Sequence, residues 1–220
     1  VGKSISEVIS KIRGGMSLTT MYEVTFDFSG AEAYEGNTLE RALQGAVADR
    51  TSGSFSGNGL ITLLCSEAQL PNVSSLTGQT NGLFLGEGQV NYAYGRLFTD
   101  VSLGWQCDKN MTPLRFLQTW HDYIYTFGMV STSREEIKGK TRSQVVDKVK
   151  YPKQYQAKIT ITKLTQGKGT KDLEPISYTL IDAFPHSIDA TPLSYGSSQI
   201  VNVSASFYYS KYFVNNTDVI

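Results

Sequence analysis

The chain has 220 residues, twenty basic against twenty acidic side chains, and only 18% charged positions, below the roughly 25% of ordinary globular proteins. That length fits one elaborated domain better than two, with enough chain to bury a sizeable core. A formal charge of zero argues against a phosphate-backbone partner. No apolar run is long enough for a helix to cross a bilayer, and the opening VGKSISEVISKIRGG carries no secretory apolar core. Ser, Thr and Tyr are abundant, which fits either a surface used for subunit contacts or an ordinary neutral one. Cys65 and Cys107 are too few for a disulfide framework or a structural zinc site. Beside apolar or strand-like neighbours they read as reduced, buried thiols in an intracellular setting, with a disulfide between them left open.

In chain order, residues 4–13 predict a short amphipathic helix. Ser4 and Glu7 have capping-box spacing, Ile5, Val8, Ile9 and Ile12 share a face, and Gly14–Gly15 end it. Residues 22–28 predict a strand, with Tyr22, Val24, Phe26 and Phe28 opposite Glu23, Thr25 and Asp27. Residues 30–59 read as an insertion or extended arm, the alternative being a surface loop. A short helix is expected within 38–49 and a glycine-rich loop over 52–59. Residues 60–65 read as an apolar strand. Pro71 disfavours an interior strand position, and residues 77–87, interrupted by glycines, read as loop.

Strand patterning resumes over 89–96, where Val90, Tyr92 and Tyr94 alternate with Asn91 and Ala93, and again over 97–107, with a break at 98–100. The clearest helix is 112–127. Thr112 is its expected N-cap, Pro113 lies in the first turn, Leu114, Leu117, Trp120, Ile124 and Phe127 form the stripe, and Gly128 stops it. Residues 131–150 are locally basic, either a solvated loop with a short helix or an intersubunit ion-pairing loop. Strands follow over 155–164, 173–181 and 200–209. Pro185 and Pro192 assign 182–199 to a connection. The last residues start ordered and then fray.

No catalytic constellation emerges. His121 and Asp122 are adjacent on a helix and so do not face each other. His186 lies near Asp182 and Asp189 without a positioned nucleophile. Two histidines cannot furnish a dense metal site, and Asp100 and Asp108 lack EF-hand spacing. The glycine runs are neither P-loop nor dinucleotide fingerprint. Tyr92, Tyr94, Tyr208 and Tyr209 have no basic groove around them for single-stranded nucleic acid, so core or interface packing is the stronger reading. We expect no enzyme, and no catalytic, cofactor-binding or metal-binding residues.

Five segments carry a family resemblance: LLCSEAQLPNVSS, GQVNYAYGRLFTDVSLGWQC, TPLRFLQTWHDYI, YPKQYQAKITITKL and YTLIDAFPHSIDATPLSYGSSQIVNVSASFYYSKYF. Over about residues 20–213 the chain resembles the tail tube proteins of contractile-tailed bacteriophages (myoviruses) and their baseplate tube-initiator relatives. The resemblance implies a mainly β fold, an antiparallel β-sandwich or partial barrel with one packed α-helix, contributing strands to a hexameric ring barrel. With the elements read above, the chain divides into an N-terminal helix or arm (1–19), a tail-tube-like β domain (20–213) with an extended loop or insertion at 30–59, and a tail (214–220); the arm and the 30–59 segment depart from the most compact tubes of that family.

The function so implied is structural. Stacked homo-hexameric rings would form the inner tail tube around the DNA-ejection channel of a virion tail assembled in the host cytoplasm. Sheath and baseplate proteins would be partners, and no membrane insertion is expected. The alternatives are a tube initiator of the baseplate and, behind it, a tube protein of a type VI secretion or injection system. A conduit must let DNA slide, so few lysines and arginines are expected on its wall. The polar strand faces Lys158–Thr160–Thr162 and Asn202–Ser204–Ser206 are the candidates to line it, and Lys158 in the lumen would count against that expectation.

Overall fold

The computed structural model describes residues 19–33, 36, 38–47, 57–82, 88–127, 147–164, 176–189, 191, 193, 195 and 200–215. The expected helix at 4–13 and most of the basic stretch at 131–150 lie outside them. The described strands are β1 (Tyr22–Asp27), β2 (Cys65–Ala68), β3 (Val73–Asn81), β4 (Gln89–Phe98), β5 (Val101–Gln106), β6 (Tyr125–Phe127), β7 (Asp147–Val149), β8 (Ala157–Lys163), β9 (Ile176–Ile188), β10 (Asn202–Tyr208) and β11 (Lys211–Asn215). The helices are α1 (Leu39–Val47), α2 (Gly57–Leu63), α3 (Thr112–Ile124) and α4 (Pro152–Tyr155). The protein is therefore mainly β, with a few short helices.

Seven strands form one antiparallel sheet in the order β1-β8-β9-β10-β5-β2, with β11 also paired to β9. Strand β9 is the hinge of this arrangement. Its first half pairs with β8 and β11, and its second half with β10. Between the halves Asp182 takes a left-handed backbone (φ 57°), beside a register shift in the β8 pairing. Such a bulge bends a strand and increases its twist.

The bend folds the sheet over on itself. β1 and β10 are three strand spacings apart, about 14 Å in a flat sheet. The rings of Phe26 on β1 and Phe207 on β10 are nevertheless 6.4 Å apart, and Phe26 and Trp105 on β5 are 6.3 Å apart. The period-two face of each strand supplies this core: Val24 and Phe26, Leu103 and Trp105, Ile159 and Ile161, Val203, Ala205 and Phe207 are all buried. Among the described residues no backbone ladder joins β1 to β2, so the described sheet is not a closed barrel.

Helix α3 fills the fold with Phe116, Leu117, Trp120, Tyr123 and Ile124. Trp120 packs edge-on against Phe26 and Phe28, and its indole N–H donates to the Tyr155 carbonyl at 2.9 Å. Its start differs from the expected Thr112 cap. Met111, with left-handed backbone, is the cap position, and the Asp108 carboxylate instead accepts the Thr112 N–H at 2.6 Å and hydroxyl at 2.8 Å. Its end also differs, because residues 125–127 leave the helix to pair with β7. Lys150, which ends the stretch read as a solvated or ion-pairing loop, is buried. Its ammonium lies over the Tyr123 ring and donates to the Tyr123 carbonyl at the end of α3, as a cation at a helix C-terminus can.

The short helix within 38–49 is present. The Thr38 hydroxyl accepts the Arg41 N–H at 3.3 Å, and Leu39 and Leu43 enter the core. Four expectations are corrected. Residues 60–63 are helix rather than strand, as are 57–59 in place of loop; of 59–63, Ile61 is the buried side chain. Residues 77–81 are strand rather than loop. Strand β9 runs through Pro185 to Ile188, where a connection was expected. Proline is tolerated in a sheet at bulges, and the register of β9 with β10 shifts at Phe207, the partner of Pro185.

Candidate assembly surface

Strands β3 and β4 form a ribbon of nine and ten residues that, among the described residues, pair only with each other. Val73, Leu76, Val90, Tyr92, Tyr94 and Leu97 are all 40% exposed or more. Across both strands the only charged residue is Arg96, near the root. Exposed strands ordinarily carry charges or prolines that block further pairing, and a lone two-stranded ribbon is marginal in water. Beyond Arg96 at its root this ribbon has no charge and no proline, and its register shifts once, between Leu76 and Thr77. Gly78 faces the Tyr92 ring, which occupies the space a Cβ would need, 2.7 Å from its position. The small residue thus seats the tyrosine across the ribbon.

The root of the ribbon is tied down. The Phe98 ring packs against Tyr209 and Tyr212, each at 5.8 Å, and the Tyr209 hydroxyl donates to the Asn72 carbonyl at 3.3 Å. In the turn after β4, the Asp100 carboxylate lies 3.5 Å from His186 Nε2, and the His186 ring stacks on Tyr208 at 3.8 Å. His186 is thereby part of the joint between ribbon and sheet. His121, on α3, packs its ring against Tyr125 at 5.0 Å.

The outer face of the sheet is built from hydroxyls. Register places Thr25, Thr160 and Thr179 side by side, with Glu23, Thr162 and Ser177 in the next row. The Thr160–Thr179 hydroxyls are 3.4 Å apart and those of Thr162 and Ser177 3.1 Å. Ser206 likewise lies between Ser187 and Ser102, and the Ser204 hydroxyl donates to Asp189 at 2.6 Å. Lys158 is on this face, half-exposed, with its ammonium 3.9 Å from Asp27. Hydrogen bonds from Ser29, with Lys158 adding attraction, hold the Asp27 carboxyl below its usual value. Lys158 is thus set against a carboxylate, and exposed Lys211 lies on the same face through its pairing with Ile181.

Chemistry is sparse elsewhere. A cleft of about 340 Å³ is lined in part by Asp27, Glu32, Lys153, Lys158 and Asp182. Two of its acids face lysines, Glu32 with Lys153 at 4.0 Å and Asp27 with Lys158 at 3.9 Å, and the third, Asp182, accepts the Ser210 hydroxyl at 2.8 Å. Both cysteines are free and half-buried. Burial pushes the Cys65 thiol up to about 11 and also raises that of Cys107, which disfavours the nucleophilic thiolate. No group of three or more metal-ligating side chains occurs among the described residues.

Comparison with known proteins defines the class. Residues 17–215 match the family model of the phage tail tube protein. The chain belongs to that family, a family of structural rather than catalytic proteins. Among solved structures it is similar to a chain of the anti-feeding prophage baseplate (TM-score 0.48, 11% identity, covering 93% of this chain and 99% of that one). It is also similar to a chain of an extracellular contractile injection system's sheath–tube complex (TM-score 0.43, 10% identity, 98% and 100%) and to an Hcp protein (TM-score 0.40, 9% identity, 89% and 99%). No curated protein matches the sequence.

Sequence reading had selected Tyr92 and Tyr94 as packing residues without placing them on a projecting ribbon. It passed over Asp100 and His186 as ribbon anchors, because their proximity depends on β9 and the β4–β5 turn meeting in space. The absence of charge from residues 73–81 and 89–95 was the available signal.

Proposed function

We propose that this chain is a self-assembling structural subunit of the tube of a contractile tail. The β3–β4 ribbon joins each copy to the next, closing hexameric rings that stack around a DNA channel. The observation that carries the reading is the ribbon itself: exposed, apolar, almost free of charge and paired with nothing else among the described residues. A second copy would cover it, and a closed ring removes open strand edges. A head-to-tail contact between identical chains generates either a ring or a filament. The hydroxyl face is the candidate channel wall: its hydroxyls offer DNA no counter-charge to hold it, and Lys158, the residue that counts against this role, is set against Asp27.

The same ring serves as a repeating wall layer, as a tube initiator seated on a baseplate, or as a tube layer of an injection system. Electron microscopy of the purified chain tests the reading. Long tubes of stacked rings support the wall, and rings that grow only with baseplate partners support the initiator. A chain that stays monomeric at high concentration, with and without such partners, overturns assembly through the ribbon. The Tyr92→Ser/Tyr94→Ser variant should remain folded and monomeric where the unmodified chain assembles.

A further inference from the structure

We infer that β11 is the edge that receives the β3–β4 ribbon of a second copy; the inference rests on the self-assembly reading and names the surface it uses. The described sheet offers three edges: β1, β2 and β11. Two of them are guarded. α2 lies along β1, where the Thr62 hydroxyl donates to the Val24 carbonyl at 2.6 Å, and the Tyr22 hydroxyl reaches the Cys65 carbonyl at 3.2 Å. β2 is four residues long, shifts register between Cys65 and Glu67, carries the charge of Glu67, and is followed by Pro71. Short length, a bulge, a charge and a nearby proline are the devices by which edges resist pairing.

β11 has a different character. Its five residues run in unbroken register with β9, from Lys211 opposite Ile181 to Asn215 opposite Ser177. It contains no proline, and its one charged residue, Lys211, is at its start. Phe213 and Val214 are half-exposed. Its other edge pairs with nothing among the described residues. An edge of five residues presents about 17 Å of backbone. Each ribbon strand is nearly twice as long, enough to pair along all of it and continue. The ribbon lacks the charges that would repel such an addition, and main-chain hydrogen bonds supply the affinity in strand addition. Tyr212 also packs on Phe98 at the root of the same copy's ribbon. Each subunit would therefore present donor and acceptor side by side, so that loading one edge bears on the exit of the next ribbon.

Hydrogen exchange on the unmodified chain, compared between monomer and ring, tests this. Amides of β11 should exchange at least about tenfold more slowly in the ring, while those of β2 should not. A second measurement uses a Cys65→Ser/Cys107→Ser background. Copies carrying Val214→Cys are mixed with copies carrying Val90→Cys and treated with a short bis-maleimide. A linked dimer is expected from Val214→Cys, but not from Glu67→Cys on β2. Rings in which β11 exchange is unchanged, or in which linkage favours Glu67→Cys, overturn the edge assignment and leave ring formation standing. No rings at all under the microscope overturn both readings.

Discussion

The contact of Phe26 with Phe207 is the sharpest consequence of the bend in β9. If the sheet folds over, these two rings touch across the core at 6.4 Å although three strand spacings separate them in the sheet. Phe26→Leu and Phe207→Leu keep each site apolar and close in volume. Each should cost about 1–2 kcal/mol through lost contacts and imperfect repacking. The pair carries the information. Touching aromatic side chains couple by about 0.5–1.5 kcal/mol in double-mutant cycles. Sites further apart than about 7–10 Å add within about 0.3–0.5 kcal/mol. Urea unfolding of the four proteins, followed by far-UV circular dichroism, measures the coupling. A midpoint that does not change with protein concentration confirms that the monomer is being read. The double variant should be less destabilised than the sum of the singles by about 0.5 kcal/mol or more. A coupling within about 0.3 kcal/mol of zero, with both singles destabilised, would refute the folded-over sheet.

Asp108→Ala removes the acceptor that holds the first turn of α3 and should cost about 1 kcal/mol. Although partial burial pulls the other way, hydrogen bonds from Thr112 and neighbouring N–H groups hold the Asp108 carboxyl below the ordinary 3.8. A depressed carboxylate contributes stability that is present above its unfolded value and disappears as pH falls through its folded value. The variant and the parent should therefore converge in acid below about pH 4, as followed by thermal melts. Cys65 has the opposite sign. Burial raises its folded value from 9.0 to about 11, so its contribution is complete below pH 9 and is lost as pH rises towards 11. Cys65→Ala should flatten that part of the stability–pH curve, and the parent thiol should react slowly with maleimide at pH 8 relative to the unfolded chain.

Strict alternation made β1, β8 and β10 legible, because each has one face in the core: Val24 and Phe26, Ile159 and Ile161, Val203 to Phe207. The helix at 112–124 was legible for the matching reason, a stripe of apolar residues at helical spacing. What failed depended on distant parts of the chain. Residues 60–64 read as a strand by composition, yet they form the end of a helix and a turn. Trp105 donates to the Ile61 carbonyl at 3.2 Å, and β5 captures Leu64 through the Gln106 N–H at 3.0 Å. Residues 77–81 read as loop because glycine weakens a strand in isolation. Here Gly78 is opposite Tyr92 in the β3–β4 register, where a small residue makes room for the ring. Pro185 punctuated the sequence but not the sheet. The ribbon's importance was hidden for a similar reason. Alternation at Val90, Tyr92 and Tyr94 says that one face is apolar, but not that the same chain leaves that face uncovered.

The hydroxyl face permits a test of the channel that does not rely on shape alone. If Thr160 lines a channel, Thr160→Lys adds one cation per copy to the wall, and closure of a ring multiplies it at the same height. The long aliphatic stem lets the ammonium reach water from a half-buried position, so folding should survive, as circular dichroism would check. Each cation that neutralises a phosphate steepens the salt dependence of binding by about 0.9 in log–log slope. Assembled particles of the variant should therefore retain short duplex DNA at low salt and release it steeply as salt rises. Gln118→Lys on the exposed side of α3 adds the same net charge elsewhere and serves as the control. The wild-type face already sets Lys158 against Asp27 at 3.9 Å, which offsets that cation as a brake on sliding DNA, while Lys211 shares the face through its pairing with Ile181. Greater retention by Thr160→Lys than by Gln118→Lys is the expected result. Equal retention by the two would show that the hydroxyl face looks away from the DNA, and the channel wall would then have to be sought on the ribbon.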